Sequence, residues 1–176
     1  MIVSYSDGEG KDAGIGFAVW VPGRASPLAA YSEVPTGVRK LWAQAARGVG
    51  EVYNDIYLIE VIAPLMILCT FPKVMRNAMW LHFIDNVGGE RALVRGASTQ
   101  QSADHIVGLT WQRIQSLAIV PYFDRVDSKA NPVDGLSRKV WDGPWNEVHT
   151  AVFPIAELMA LAAECNDDTA AALWAQ

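Results

Sequence analysis

At 176 residues, with 51% hydrophobic and 19% charged side chains, the chain is long and apolar enough to bury one core, which excludes a disordered protein. A net charge of −5 excludes strong non-specific binding of nucleic acid by the surface as a whole, but leaves room for a nucleic-acid substrate held through metal ions. Two cysteines, Cys69 and Cys165, make neither a disulfide framework nor a zinc site.

In chain order, Ile2 to Ser6 reads as a short strand that ends at Asp7, and Asp7 to Asp12 reads as a turn by composition. Gly14 to Val21 is a second strand and completes a hairpin. Leu28 to Val34 is a third, which predicts an antiparallel meander closed by Pro35 and Gly37. Val38 to Ala46 is predicted helical. A second helix starts near Glu51 or Asn54 and runs to about Cys69, with Pro64 expected to kink it. Met79 to Ile84 is apolar except for His82, as expected of a strand in the centre of a sheet. His82 itself reads as a satisfied core histidine. A short helix in Asn86 to Gly96, a longer one over Ser98 to Ala118, a strand over Val120 to Val126 and a short helix over Val133 to Val140 follow. A last Ala-rich helix is predicted from Ile155 to about Glu164, and Trp141, Trp145 and Trp174 are candidates to pack the tail on the sheet. The order β-β-β-α-β-α-β-α predicts an α/β fold: a mixed sheet of five strands with helices on its faces.

One carboxylate stands out. In Ile56 to Leu68 only Glu60 carries charge. An isolated carboxylate in a dry apolar setting costs several kcal/mol unless it is protonated, paired or bound to metal. The structural explanation is a Lys or Arg partner, or a gap through which Glu60 points out. The alternative is a set of acids. Asp7 ends the first predicted strand, Asp85 ends the fourth, and Asp134 opens a predicted helix. If strands one and four are parallel neighbours, Asp7 and Asp85 share one end of the sheet, and a helix laid across them presents Glu60 to the same point. Converging carboxylates repel, and a divalent cation removes that repulsion. Oxygen-only ligands favour Mg²⁺ or Mn²⁺. Two such ions about 4 Å apart form the usual clamp for displacement at a phosphodiester. Taken singly, each acid is an ordinary turn, strand-end or helix-start residue.

Four pieces resemble the ribonuclease H-like family. They are Tyr5-Ser6-Asp7-Gly8 with Gly14-Ile15-Gly16; Glu60 in the first long helix; Phe83-Ile84-Asp85-Asn86; and Val126 to Arg138, with Asn131-Pro132-Val133-Asp134-Gly135-Leu136-Ser137-Arg138. The last is similar to the segment closing the ribonuclease H-like domains of retroelement reverse transcriptases of the tyrosine-recombinase type. The resemblance spans about residues 2 to 140. It implies a catalytic domain over residues 1–140, followed by a helical C-terminal extension over 141–176. It implies a metal-dependent endonuclease that cuts the RNA strand of RNA–DNA hybrids. Asp7, Glu60, Asp85 and Asp134 would be its catalytic, metal-binding acids, with two Mg²⁺ or Mn²⁺ ions as cofactors. Asn86, Ser98 and Asn131 are candidates for contacts to the hybrid.

The chain departs from the family in two ways. Residues 127–133 hold no His, which many cellular members place before the last Asp. Residues Arg95 to Arg113 hold no cluster of Lys and Arg to grip a hybrid. The acidic balance and the missing basic cluster fit a domain that leans on a partner such as a reverse transcriptase polymerase. Other readings are an inactive scaffold on the same fold, and an exonuclease or resolvase. Asp7-Gly8-Glu9 matches an exonuclease opening, but the late His or Tyr expected of that family is missing, and Glu9 reads as a turn residue. No secretory signal opens the sequence, and residues 56–71 are short for a membrane span and hold Glu60 and Pro64. The expectation is a soluble intracellular chain, in cytoplasm or nucleus, without a membrane partner.

Overall fold

The structure, a computed structural model, describes residues 1–158. It forms a mixed sheet in the order β5-β4-β1-β2-β3-β6. Strand β1 (Ile2–Glu9), β2 (Gly14–Trp20) and β3 (Leu28–Glu33) make the antiparallel meander. Strand β4 (Met79–Ile84) lies parallel beside β1, and β5 (Val120–Arg125) parallel beside β4. The sheet has six strands and not the five expected. The sixth, β6 (Val148–Thr150), pairs parallel with β3 at the far edge. Its three residues are too few to show a period-two pattern in the sequence.

Two further boundaries differ from expectation. Asp7 lies inside β1 and not at its end, because the hairpin stays in register through Asp7 to Gly16 and on to Glu9 to Gly14. Gly8 reads as a turn residue, yet it sits in a paired strand where another segment comes close. The last helix of the sheet domain, α6 (Asp134–Ser137), is a single turn. The expected helix over 155–164 is described only at its first residues, Ile155 to Leu158, and Trp174 lies outside the described residues.

The remaining helices are α1 (Thr36–Gly48), α2 (Asp55–Thr70), α3 (Pro72–Met75), α4 (Val87–Arg95) and α5 (Gln101–Ser116). α2 runs unbroken through Pro64, and every residue from Leu58 to Leu68 is buried. A helix that is apolar on all sides belongs in the middle of a core, and α2 lies between the sheet and α5. Ile15, Phe17, Val19, Trp80, Ile84 and Phe123 of the sheet pack toward it. The opposite face of β2 and β3 carries a smaller cluster, in which Ala18 and Ala29 meet Val133 and Leu136 of the α6 segment. Trp145 packs edge-on to Trp20 beside that cluster, whereas Trp141 is exposed. Among the described residues no helix is long and apolar enough to cross a membrane.

His82 sits in β4 as a core histidine, with no exposed surface. Its Nδ1 lies 2.8 Å from Ser4 Oγ and its Nε2 lies 3.2 Å from Ser6 Oγ. Trp80 Nε1 donates to Ser4 Oγ at 2.7 Å. Burial holds the ring neutral, with its pKa pushed down to about 3.

Candidate active site

The parallel pairing of β1 with β4 is what brings the acids to one end of the sheet. Ser4 lies opposite His82 and Tyr5 opposite Phe83, so the two strands continue side by side toward Asp7 and Asp85. Beyond β4 the chain turns into α4. Asn86 caps that helix by accepting from Gly89 N at 2.9 Å, which fixes the backbone on either side of Asp85.

α2 supplies Glu60. Its start is fixed by Asn54, whose side chain accepts from Tyr57 N at 3.2 Å, and by Asp55, which pairs with Arg39 of α1 and accepts from Tyr53 Oη at 2.6 Å. The helix crosses β1 at Gly8. A Cβ there would stand 2.8 Å from Glu60 Cγ and 2.9 Å from Ile59 Cγ2, so only glycine lets α2 lie this close to the strand beside Asp7. The α6 turn supplies Asp134, whose carboxylate is held by both terminal nitrogens of Arg138, at 2.7 and 2.8 Å.

The four acids form one electrostatic group. Asp7 is 4% exposed and Glu60 is 7% exposed. Burial pushes the Asp7 pKa up to about 7; the Ser137 hydroxyl pulls it down, Asp85 and Asp134 raise it, and the Arg138 guanidinium lowers it. Burial also pushes Glu60 up, to about 9; Asp85 adds charge repulsion and a carboxyl–carboxyl hydrogen bond that forms only when one of the two is protonated, Asp7 adds further repulsion, and the Asn86 side chain opposes them. Asp7 thus feels two of the other three acids, and Glu60 feels Asp85 and Asp7. Among the described residues no Lys or Arg partner reaches Glu60: as carboxylates, Glu60 Oε2 and Asp85 Oδ1 are both buried with no donor. Buried oxygens of this kind are rare in folded proteins and call for an explanation. Among the described residues no three acidic, His or Cys side chains already stand arranged around one ligating point. The acids are gathered and coupled, but not closed on a common centre.

Beside this group lies an open cleft of about 350 Å³ lined by Asn54, Tyr57, Asn86, Arg91, Arg95 and Ser98, among others. Tyr57 Oη and Ser98 Oγ are 3.1 Å apart, and Ser98 Oγ accepts from Gln100 N at 3.2 Å. Two of the three candidate substrate residues, Asn86 and Ser98, therefore share one cleft. The third, Asn131, is buried at 7% exposure. Its Nδ2 donates to Ser6 O at 2.9 Å and its Oδ1 accepts from Val133 N, so its amide ties the α6 segment to β1.

No family model matches the chain, and no curated protein matches it. Among solved structures, the chain is similar to the ribonuclease H1 of the halophilic archaeon Halobacterium salinarum NRC-1. The superposition has a TM-score of 0.51 at 12% identity, and covers 79% of this chain and 96% of that one. The fold is ribonuclease H-like. That agrees with the meander followed by alternating strands and helices that the sequence predicted, with β6 added at one edge.

Several residues around the acids and the cleft carry no signal that sequence alone makes plain. Arg91 and Arg95 stand four apart on α4 and face the cleft. Their spacing, on a helix that follows Asp85, was the available signal. Tyr57, one turn before Glu60, was read only as part of the apolar run. Ser137 donates its hydroxyl to Asp7 Oδ2, a contact 130 residues apart in sequence that no local pattern announces.

Proposed function

We propose that this chain is a divalent-metal-dependent endonuclease that cleaves the RNA strand of RNA–DNA hybrids. The observation that carries the reading is the pair of buried, unpartnered oxygens on Glu60 and Asp85, beside Asp7, in a cluster whose acids repel one another. A cation is what such oxygens lack, and an all-oxygen donor set suits Mg²⁺ or Mn²⁺. Asp7, Glu60, Asp85 and Asp134 would hold two such ions. When bound, they supply an activated water and charge stabilisation at the leaving oxygen, which hydrolysis of a phosphodiester requires, leaving 5′-phosphate and 3′-hydroxyl ends.

The chain's own residues do the rest. Gly8 keeps α2 against β1, so Glu60 stays with Asp7 and Asp85. Asn86 holds the turn after Asp85 and opens the neighbouring cleft. Arg91, Arg95 and Ser98 offer that cleft to the phosphates of the hybrid, since backbone contacts position a nucleic acid without reading its sequence. RNA is distinguished from DNA through its 2′-hydroxyls, displayed in the wide minor groove of a hybrid. Asn131 contributes by anchoring the segment that carries Asp134. Residues 1–140 make up the catalytic unit in this reading, with 141–176 as its extension. With a net charge of −5 and only a pair of arginines at the cleft, the domain works beside a partner that adds affinity for the hybrid. The resemblance of Val126 to Arg138 points to a reverse transcriptase polymerase as that partner.

The test is cleavage of a labelled RNA–DNA hybrid with Mg²⁺ or Mn²⁺, wild type against Asp85→Asn, with duplex DNA and duplex RNA as controls. Internal cuts in the RNA strand alone, lost in the variant, are expected. A second reading is an inactive module on the same fold, favoured by the acids not being arranged around one point. Metal binding without cleavage of any duplex, at every protein concentration tried, would select it.

A further inference from the structure

We propose that Ser137 is the positioning residue for Asp7: its hydroxyl fixes the orientation of the Asp7 carboxylate for divalent-cation binding. The inference rests on the metal-nuclease reading above, and concerns a residue that does not line the cleft.

Ser137 is 1% exposed, at the end of the α6 turn. Its Oγ donates to Asp7 Oδ2, and also lies 3.0 Å from the carbonyl of Asp134. A hydroxyl carries one proton, so these two acceptors compete for it, and the shorter contact is the one to Asp7. The Asp134 carbonyl alone would explain a serine in a helical turn. It does not explain why the turn is driven against β1 and β2 until Ser137 reaches across to Asp7.

That approach is built into the sheet. A Cβ on Gly16 would lie 2.4 Å from Leu136 Cβ and 2.5 Å from Ser137 N, and one on Gly14 would lie 2.1 Å from the Ser137 carbonyl oxygen. Two glycines of β2 therefore clear the seat for residues 136 and 137. Leu136 fills the seat by packing on Ala18 and Ala29. At the other end of the segment, Asn131 is bonded to Ser6 O, one residue from Asp7. The backbone of 131–137 is pinned to β1 and β2 at both ends, so the Ser137 hydroxyl has little freedom to move away. The carboxylate of Asp7 would otherwise turn about its last side-chain bond. Groups that orient metal ligands from behind typically contribute about 10–100-fold to metal affinity or activity.

The experiment is a calorimetric titration of the full chain with Mn²⁺, together with steady-state cleavage of an RNA–DNA hybrid, for wild type, Ser137→Ala and Ser137→Thr. The expected result is about 10–100-fold weaker Mn²⁺ binding in Ser137→Ala. At fixed sub-saturating Mn²⁺, kcat falls by a similar factor while KM for the hybrid stays put, and Ser137→Thr restores both binding and kcat. A residue that only stabilised the turn would shift the urea midpoint and leave Mn²⁺ affinity in the folded protein unchanged. Should Ser137→Ala lose cooperative unfolding, Ser137→Cys carries the comparison, since it keeps the shape and exchanges a strong donor for a weak one. Wild-type Mn²⁺ affinity in the Ala or Cys variant overturns the inference and leaves the metal reading standing. Absence of both Mn²⁺ binding and cleavage in the wild type overturns the metal reading, and the inference with it.

Discussion

His82 and Glu60 are both buried titratable side chains, on elements that flank β1. They are treated in opposite ways. His82 is wholly enclosed, and each ring nitrogen meets a serine hydroxyl, at 2.8 and 3.2 Å. Glu60 keeps a buried oxygen with no partner and faces Asp85 and Asp7. A polar group that the chain satisfies in full stabilises the fold. One that is left unsatisfied among like charges destabilises it, and is explained by something the chain binds. The contrast separates the satisfied end of β1 and β4, at Ser4 and His82, from the end proposed to bind metal, at Asp7 and Asp85, further along the same strands.

The largest expected effect breaks the end proposed to bind metal. Asp85→Asn keeps the shape and removes a ligand charge. Metal-ion catalysis is worth several kcal/mol of transition-state stabilisation, so cleavage of the hybrid is expected to fall by about 100-fold or more. Circular dichroism should be close to wild type.

The next effect sets the two ends against each other in the metal-free protein. His82→Ala leaves a cavity and strands Ser4 and Ser6, and is expected to lower stability by about 2–4 kcal/mol. Glu60→Gln removes a group that the metal-free fold holds protonated at pH 7 while the unfolded chain ionises it, and is expected to raise stability by about 1–3 kcal/mol while abolishing cleavage. Urea unfolding with a chelator present measures both, and equal destabilisation by the two substitutions would erase the contrast.

The pH dependence should carry the same opposition. His82 has its folded pKa depressed to about 3 from an ordinary 6.5. Its contribution is present above pH 6.5 and is lost progressively as pH falls toward 3, because only the unfolded chain readily takes the proton. Glu60 has its folded pKa raised to about 9 from 4.5. Its contribution is full below pH 4.5 and is lost as pH rises toward 9. Melting temperatures of metal-free Glu60→Gln and wild type should therefore converge near pH 4 and diverge as pH rises.

Much of this was legible in the sequence, for reasons that can be named. Glu60 stands alone in an apolar run, and a buried helix cannot hide a charge without leaving that trace. Asp85 closes a strand whose apolar run marks it as central, and Asp7 follows the apolar start of the first strand, so their meeting follows once parallel pairing is assumed. What was not legible depends on contacts across the fold. Gly8 reads as a turn residue, and Gly14 and Gly16 read only as the opening of a strand, because local composition cannot show that α2 and α6 press against those strands. β6 has three residues and no pattern. Ser98 was placed at the start of α5 but precedes it, since its hydroxyl accepts from Gln100 N ahead of the first helical turn. Arg91 and Arg95 went unremarked because a pair of cations on a short helix gains meaning only beside the cleft.

The smallest expected effect concerns that cleft. Arg91→Ala and Arg95→Ala should each raise KM for the hybrid about three- to tenfold with little change in kcat, and should each lower the salt dependence of binding by about one phosphate contact. A fall in kcat at constant KM would move these arginines from holding substrate to acting at the acids.

The most direct test of the central claim is the melting temperature of the metal-free chain at pH 7 as Mn²⁺ is added. If the unpartnered oxygens of Glu60 and Asp85 are there for a divalent cation, the wild type should be stabilised in proportion to occupancy. Asp85→Asn should respond weakly, and His82→Ala, starting from a lower melting temperature, should show the wild-type rise. No rise in the wild type, or an equal rise in Asp85→Asn, would contradict the account.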